Sequence, residues 1–492
     1  MAMNPSSLFR IILFFLPLIL TSVLTSSSSL NSLKKQEENF ARGLNLFPEK
    51  SRNEPLRANS GKEVNEKVLQ LPSPADPNPT IKDLGRHTGY YPISSTEKLF
   101  YFFFESRIRV DDPVLMWLGG GPGCCDEIAL FYENGPFKIG ENMSLSWNEF
   151  SWDKASHLLY VDQPIGTGFS SISDWNNYRH NEESVTNDLY TFLQAFFKGH
   201  PDFAKNDFYI TGEAYAGHHI PTLAAKIQKA NRANDAIFIN LKGLAIGNGF
   251  VNPRIQYQSY ADYALANKLI SKSDKDSFDK YIPKCVQAID QCDAEGGGEP
   301  CSNAYGICNS IFYYMLQNTD DLNYYDIRKK CQGQGIISCY DFSKMDLFLN
   351  YPPVRMALGV GMFNFDECSL NVFQAMILDR MRNFDTGIPA LMEEGIKLLV
   401  YAGEYDLMLN WLGNSRWVHA LNWTGRANFE ASKTVPFVVD GQAAGEFKSF
   451  GPLTFLKVYD AGQMVPMDQP KVSLQMIKGW MQSSNVSVLF PK

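Results

Sequence analysis

The chain has 492 residues, 45% apolar, 20% charged and 13% aromatic, the make-up of a folded globular protein of one large or a few ordinary domains and not of a disordered or collagen-like chain. Its 53 Asp and Glu outnumber 45 Lys and Arg, so the net charge of −8 repels a phosphate backbone and argues against nucleic-acid partners. No internal period of about 20 to 50 residues is present, which removes solenoids and propellers.

In chain order, Arg10 precedes an apolar run over residues 11–20, followed by small residues up to Ser29. The run is too short to cross a bilayer, and a charged start, apolar middle and small-residue end predict a signal peptide over residues 1–26; a buried core helix is the alternative. The mature protein is then expected in the secretory pathway, outside the cell or in a vacuole, without a membrane span. Asn142, Asn422 and Asn485 each begin an Asn-X-Ser/Thr triplet and are the candidate glycosylation sites on that route. Residues 27–80, rich in Ser, Asn, Lys, Glu and Pro, read as a propeptide or leader.

From residue 89 short apolar runs alternate with longer amphipathic stretches. Residues 101–105, 113–118, 157–161, 207–210, 241–246, 397–401 and 455–459 read as buried strands, and 183–197 and 222–230 as helices between them. Strands alternating with helices predict an α/β fold with a mostly parallel sheet, whose working groups lie at the carboxyl ends of the strands. Residues 255–370 break the rhythm and carry seven of the nine cysteines, so they are read as an inserted cap within a domain spanning 81–487.

Cys285, Cys292, Cys301 and Cys308 are spaced 7, 9 and 7 residues apart, which suits nested disulfides. Zinc is the rival; it favours tighter pairs and histidine, and no histidine lies between 285 and 339, so disulfides are preferred and no metal or cofactor is expected. Nine is odd, so one thiol remains, and neighbouring Cys124 and Cys125 rarely bridge each other, which places the orphan there.

Two turns carry chemistry. Trp117, Leu118, Gly119, Gly120, Gly121, Pro122, Gly123 and Cys124 follow a strand, and a glycine run lets backbone N–H groups converge on an oxyanion, a tight structural turn being the plainer reading. Residues 211–221 join a strand to a helix in the manner of a nucleophile elbow, and the apex residue is Ala214. A methyl group cannot attack a carbonyl.

These turns, with Val161-Asp162-Gln163-Pro164, the segment 403–417 and the segment 460–470, make the chain resemble the serine carboxypeptidases and carboxypeptidase-like proteins, over residues 85–485. The resemblance implies an α/β-hydrolase fold with helices on both faces of the sheet and a disulfide-stapled cap. It implies the pairs Cys124–Cys368, Cys285–Cys308, Cys292–Cys301 and Cys331–Cys339, with Cys125 free. Carried over by position, the family's triad falls on Ala214, Asp406 and Gln463, where the family has serine, aspartate and histidine. The oxyanion donors fall on Gly121 and Tyr215. The groups that grip the substrate's terminal carboxylate fall on Trp117, Gly119, Gly120, Glu133 and Glu213; Gly119 replaces a side-chain donor, and Leu409 replaces a cysteine lining the pocket.

A serine hydroxyl needs a histidine to take its proton, and the aspartate only orients that histidine. Of the seven histidines only His419 follows Asp406, and it sits in a helical stretch; His218 and His219 follow the elbow, where packing is the simpler role. The expected protein is therefore a carboxypeptidase-like pseudoenzyme that binds peptide C-termini or small acyl ligands weakly. The alternatives are an active carboxypeptidase or acyltransferase of the same family, and a non-catalytic binding or storage protein. Oligomeric state, monomer or homodimer, is left open.

Overall fold

Short uninterrupted runs of branched and aromatic residues build the centre of the fold. In this computed structural model, described over residues 67–68 and 86–483 apart from 141–144, 173, 235, 318, 320, 332–338 and 362–363, thirteen strands are present. They are β1 (Lys67–Val68), β2 (Arg86–Pro92), β3 (Lys98–Phe104), β4 (Val114–Leu118), β5 (Phe137–Ile139), β6 (Leu145–Trp147), β7 (His157–Val161), β8 (Phe208–Glu213), β9 (Leu241–Gly247), β10 (Lys397–Gly403), β11 (Val435–Val439), β12 (Gln442–Phe450) and β13 (Leu453–Val458). The expected signal segment, the rest of the leader, Asn142 and Asn485 lie outside the described residues.

Eleven strands form one sheet in the order β1-β2-β3-β7-β4-β8-β9-β10-β13-β12-β11, and β5 pairs with β6 apart from it. The central run from β7 to β13 is parallel, with antiparallel strands at both edges. Every residue of β4, β7 and β8 is buried. Burial on both faces is what a parallel sheet covered by helices requires, and it explains why these strands read as continuous apolar runs. No helix of the described residues is long and apolar enough to cross a membrane.

The two helices expected beside the elbow are longer than their sequence signals. Helix Glu182–Gly199 starts where the Asn181 side chain accepts from the Ser184 N–H, with Glu182 and Glu183 in the first turn, a capped and charge-matched start. Its apolar face buries Val185, Leu189, Phe192, Leu193 and Phe196. Helix Ala216–Ala233 begins directly after the elbow and contains Pro221, which removes one intrahelical hydrogen bond without ending the helix. That proline is why the sequence pattern is readable only from residue 222.

Between β9 and β10 the chain is helical. Helices Ile282–Glu295 and Glu299–Leu316 are joined by Gly296, Gly297 and Gly298, all at positive φ, a turn that side chains would strain. Cys285–Cys308 and Cys292–Cys301 bridge these two helices, and Cys331–Cys339 closes a short loop. Cys124–Cys368 ties the glycine-rich turn after β4 to the segment before helix Leu370–Met376, and Cys125 is left free and buried. These are the four pairs and the orphan that the resemblance implies.

Candidate functional site

The carboxyl ends of β4, β8, β9 and β10 converge on one cavity of about 210 Å³. Trp117, Gly119, Gly120, Gly121, Glu133, Glu213, Ala214, Tyr215, Leu409 and Gln463 line it, so the structure brings together all but one of the catalytic, oxyanion and substrate-gripping positions carried over from sequence. The exception is Asp406, which lies behind the wall.

Ala214 sits between β8 and helix Ala216–Ala233 at φ 53°, a left-handed conformation that costs an ordinary residue about 1 kcal/mol. Its N–H donates to the Gly247 carbonyl and its carbonyl accepts from the Phe250 N–H, so one bond to the end of β9 and one to the chain beyond it lock the sharp turn. Gly120 passes so near that a Cβ there would stand 2.8 Å from the Ala214 Cβ, and only glycine permits this approach. The backbone N–H groups of Gly121 and Tyr215 have no partner among the described residues and are the donors open to a ligand oxygen.

Asp406 follows β10 and is wholly buried. Its Oδ2 accepts from the Asn248 side chain at 2.8 Å and its Oδ1 from the Leu409 N–H at 3.2 Å. Burial outweighs these bonds and pushes its carboxyl up to about 8. Gln463 is held by its N–H donating to the Tyr325 carbonyl at 2.8 Å, while its side-chain Oε1 is buried without a partner.

Glu133 ends a helical turn (Ala129–Glu133) and Glu213 ends β8; the two carboxyls hydrogen-bond to each other. Burial pushes Glu133 up to about 8, against the contact with Glu213, and Glu213 rises well above the usual carboxylate range through its own burial and the charge of Glu133. Two such groups share a proton because neither environment tolerates two charges. The Oε2 atoms of both are buried and meet no donor from another residue among the described residues. Trp117 stands beside them, edge-on to Trp152.

The Gly119 N–H is not free for a ligand: it donates to Asp126 Oδ1 at 2.6 Å, while Asp126 Oδ2 accepts from the Val161 N–H at 2.9 Å. A Cβ on Gly119 would stand 2.6 Å from that same oxygen, so Asp126 fills the space of the missing side chain without presenting a donor to the cavity. Gly119 therefore lines the cavity with its own N–H already engaged.

No histidine lines the cavity. His218 lies between the carbonyls of Phe250 and Arg380, and burial lowers its pKa to about 4. His219 pairs with Glu182 at 2.7 Å, both fully buried. His419 turns back on its own helix, with Nδ1 2.8 Å from the Ser415 carbonyl, and packs on Phe429. No group of three His, Cys, Asp or Glu among the described residues is placed to hold a metal. Of the sequons, Asn422 is exposed.

Three contributors had escaped sequence reading: Asn248, Asp126 and Arg380. The Gly-Asn-Gly after β9 was a readable signal for the first, since such turns present a side chain at a strand's carboxyl end. Arg380 has no such signal.

A profile of the serine carboxypeptidase family matches residues 76–483. The chain is 55% identical over 456 residues to serine carboxypeptidase-like 48 of Arabidopsis thaliana, covering 90% of this chain and 88% of that protein. It is 52% identical over 454 residues to serine carboxypeptidase 3 of Oryza sativa subsp. japonica, covering 91% and 89%. Among solved structures, a prohormone-processing carboxypeptidase from Saccharomyces cerevisiae matches with a TM-score of 0.74 at 28% identity, over 82% of this chain and 92% of that one. With the sheet order, the elbow and the cavity arranged as above, the chain belongs to the serine carboxypeptidase family.

Proposed function

We propose that this protein binds peptide C-termini, or small acyl ligands, in the cavity of a serine carboxypeptidase without cutting them. The observation that carries the reading is the lining itself, which contains the carboxyl pair and the backbone donors but no serine, threonine or histidine. Acyl transfer needs a nucleophile and a base in contact. At the elbow stands the methyl of Ala214, and at residue 463 stands an amide that takes no proton near neutral pH. The cavity's one free thiol, Cys125, is pushed well up by burial and by the carboxyls of Glu127 and Asp162, so it remains protonated and a poor nucleophile.

Binding follows from the parts that remain. A ligand's terminal carboxylate accepts the proton shared by Glu133 and Glu213, a charge-assisted hydrogen bond that neither glutamate provides once both are ionised. The carbonyl one residue back then meets the N–H groups of Gly121 and Tyr215. Without an attacking atom those donors bind and do not catalyse. Four disulfides support a secretory-pathway route, since such bonds persist in oxidising compartments.

Titration calorimetry of the full chain with an N-blocked dipeptide acid and its C-terminal amide at pH 5.5 tests the reading. The acid is expected to bind at least about tenfold more tightly than the amide. Equal affinity removes the carboxyl pair from the account.

A further inference from the structure

The cavity holds one cationic side chain, Arg380, at a place the carboxylate grip does not use. It lies in the turn after helix Leu370–Met376, its N–H donating to the Met376 carbonyl at 3.0 Å. The helix leading into this turn is pinned at its start to the glycine-rich arm of the cavity by Cys124–Cys368 and by two backbone bonds, Cys125 N–H to the Glu367 carbonyl at 2.9 Å and Ser369 N–H to the Gly123 carbonyl at 2.8 Å. The side chain is therefore built on a stapled frame and not on a free loop.

Around the guanidinium stand four rings, Tyr215 at 5.2 Å, Phe250 at 5.4 Å, Tyr305 at 5.8 Å and Phe373 at 5.1 Å. One nitrogen, Nη1, donates to the Gly121 carbonyl at 2.7 Å. Nε is buried with no partner, and no carboxylate among the described residues pairs with the group. Two residues on, Arg382 pairs with Asp379 at 3.0 Å, and Arg179 and Arg328 likewise meet carboxylates. Stacked rings hold a guanidinium in place and steady its charge, but they do not supply the two acceptor oxygens that its fork-shaped donor set fits. A partly desolvated cation without an anion is unfavourable, and an incoming carboxylate removes that penalty.

We propose that the cavity selects peptides whose penultimate residue carries a carboxylate, read by Arg380. The placement rests on the binding mode of the preceding subsection. With the terminal carboxylate at Glu133 and Glu213 and the next carbonyl at Gly121 and Tyr215, the penultimate side chain extends past those two residues, and Arg380 is bonded to the carbonyl of one and lies over the ring of the other. Opposite charges thus mark the two ends of the site: a proton-sharing acid pair for the terminus and a guanidinium for the side chain before it.

Calorimetry of the full chain at pH 5.5 with three N-blocked dipeptides ending in Phe, preceded by Glu, Gln or Lys, tests the proposal. Glutamate is ionised at that pH, its ordinary pKa being about 4.3. The Glu peptide is expected to bind about tenfold more tightly than the Gln peptide and the Lys peptide most weakly, with the Glu-to-Gln ratio falling as salt rises. Arg380→Met is expected to bring that ratio to about one and Arg380→Lys to reduce it, a lysine being a point charge without the fork. The ranking in the wild-type chain stands as a test whether or not either variant folds. Equal binding of the three peptides, or a preference that survives in folded Arg380→Met, overturns this inference alone. Absence of binding by all three overturns it together with the peptide-binding reading.

Discussion

The Asn248 side chain donates to Asp406 Oδ2 at 2.8 Å, and no imidazole shares that carboxyl. Where the family places a catalytic aspartate against a histidine, this chain holds a fully buried acid whose carboxyl stands up to about 8. Between about pH 4 and pH 8 the folded protein keeps a proton on Asp406 that the unfolded chain has lost, so stability falls as pH rises through that window. Melting temperatures measured from pH 5 to pH 8 should fall by several degrees, and Asp406→Asn, which cannot titrate, should flatten part of that slope. A variant slope as steep as the wild type contradicts the assignment.

The carboxyl pair makes a related prediction for binding. Glu133 stands up to about 8, and Glu213 is raised well above the ordinary range, so the pair is protonated in acid and starts to lose protons only near pH 8. Affinity for a dipeptide acid should be level from about pH 5 to 6.5 and begin to fall above about pH 8. Glu213→Gln keeps one hydrogen-bond donor at every pH and should remove most of the dependence, though its absolute affinity will differ. A flat wild-type profile assigns the terminus to other groups.

Repair separates the two missing groups. Ala214→Ser restores a hydroxyl at the elbow but leaves Gln463, which takes no proton, so this single variant should stay inactive on blocked dipeptides. Ala214→Ser with Gln463→His should gain at least about a hundredfold over it, because nucleophile and base act as a unit whose single losses cost about a millionfold in a related triad enzyme. Equal rates for single and double variants show that the base comes from elsewhere.

Cys125 gives a chemical check on the cysteine framework. It is 2% exposed, beside Cys124, and its thiol is pushed well up. A thiol reagent should titrate none per folded chain and one after denaturation without reductant. Two or more in the denatured chain break the disulfide assignment.

Much of this site can be read in the sequence because its parts sit at strand ends. The seven strands expected from apolar runs are present with ends moved by three residues at most, and Ala214, Glu213 and Gly121 all stand at or just beyond the ends of such runs. The outer strands β2, β11 and β12 escaped, since edge strands are partly exposed and carry glycine, proline and charge that blur the alternation. Arg380 was invisible for another reason. The bond that places it runs to the Gly121 carbonyl, 259 residues away, which no local pattern encodes.

The measurement that bears most directly on the central claim is release of the C-terminal residue from blocked dipeptides by the purified wild-type chain at pH 4.5 to 6, beside the doubly repaired variant and Asp406→Ala. The account predicts no release by wild type above the Asp406→Ala background, in a preparation that binds the same peptides and turns them over once repaired. Release by wild type that Asp406→Ala abolishes would contradict it.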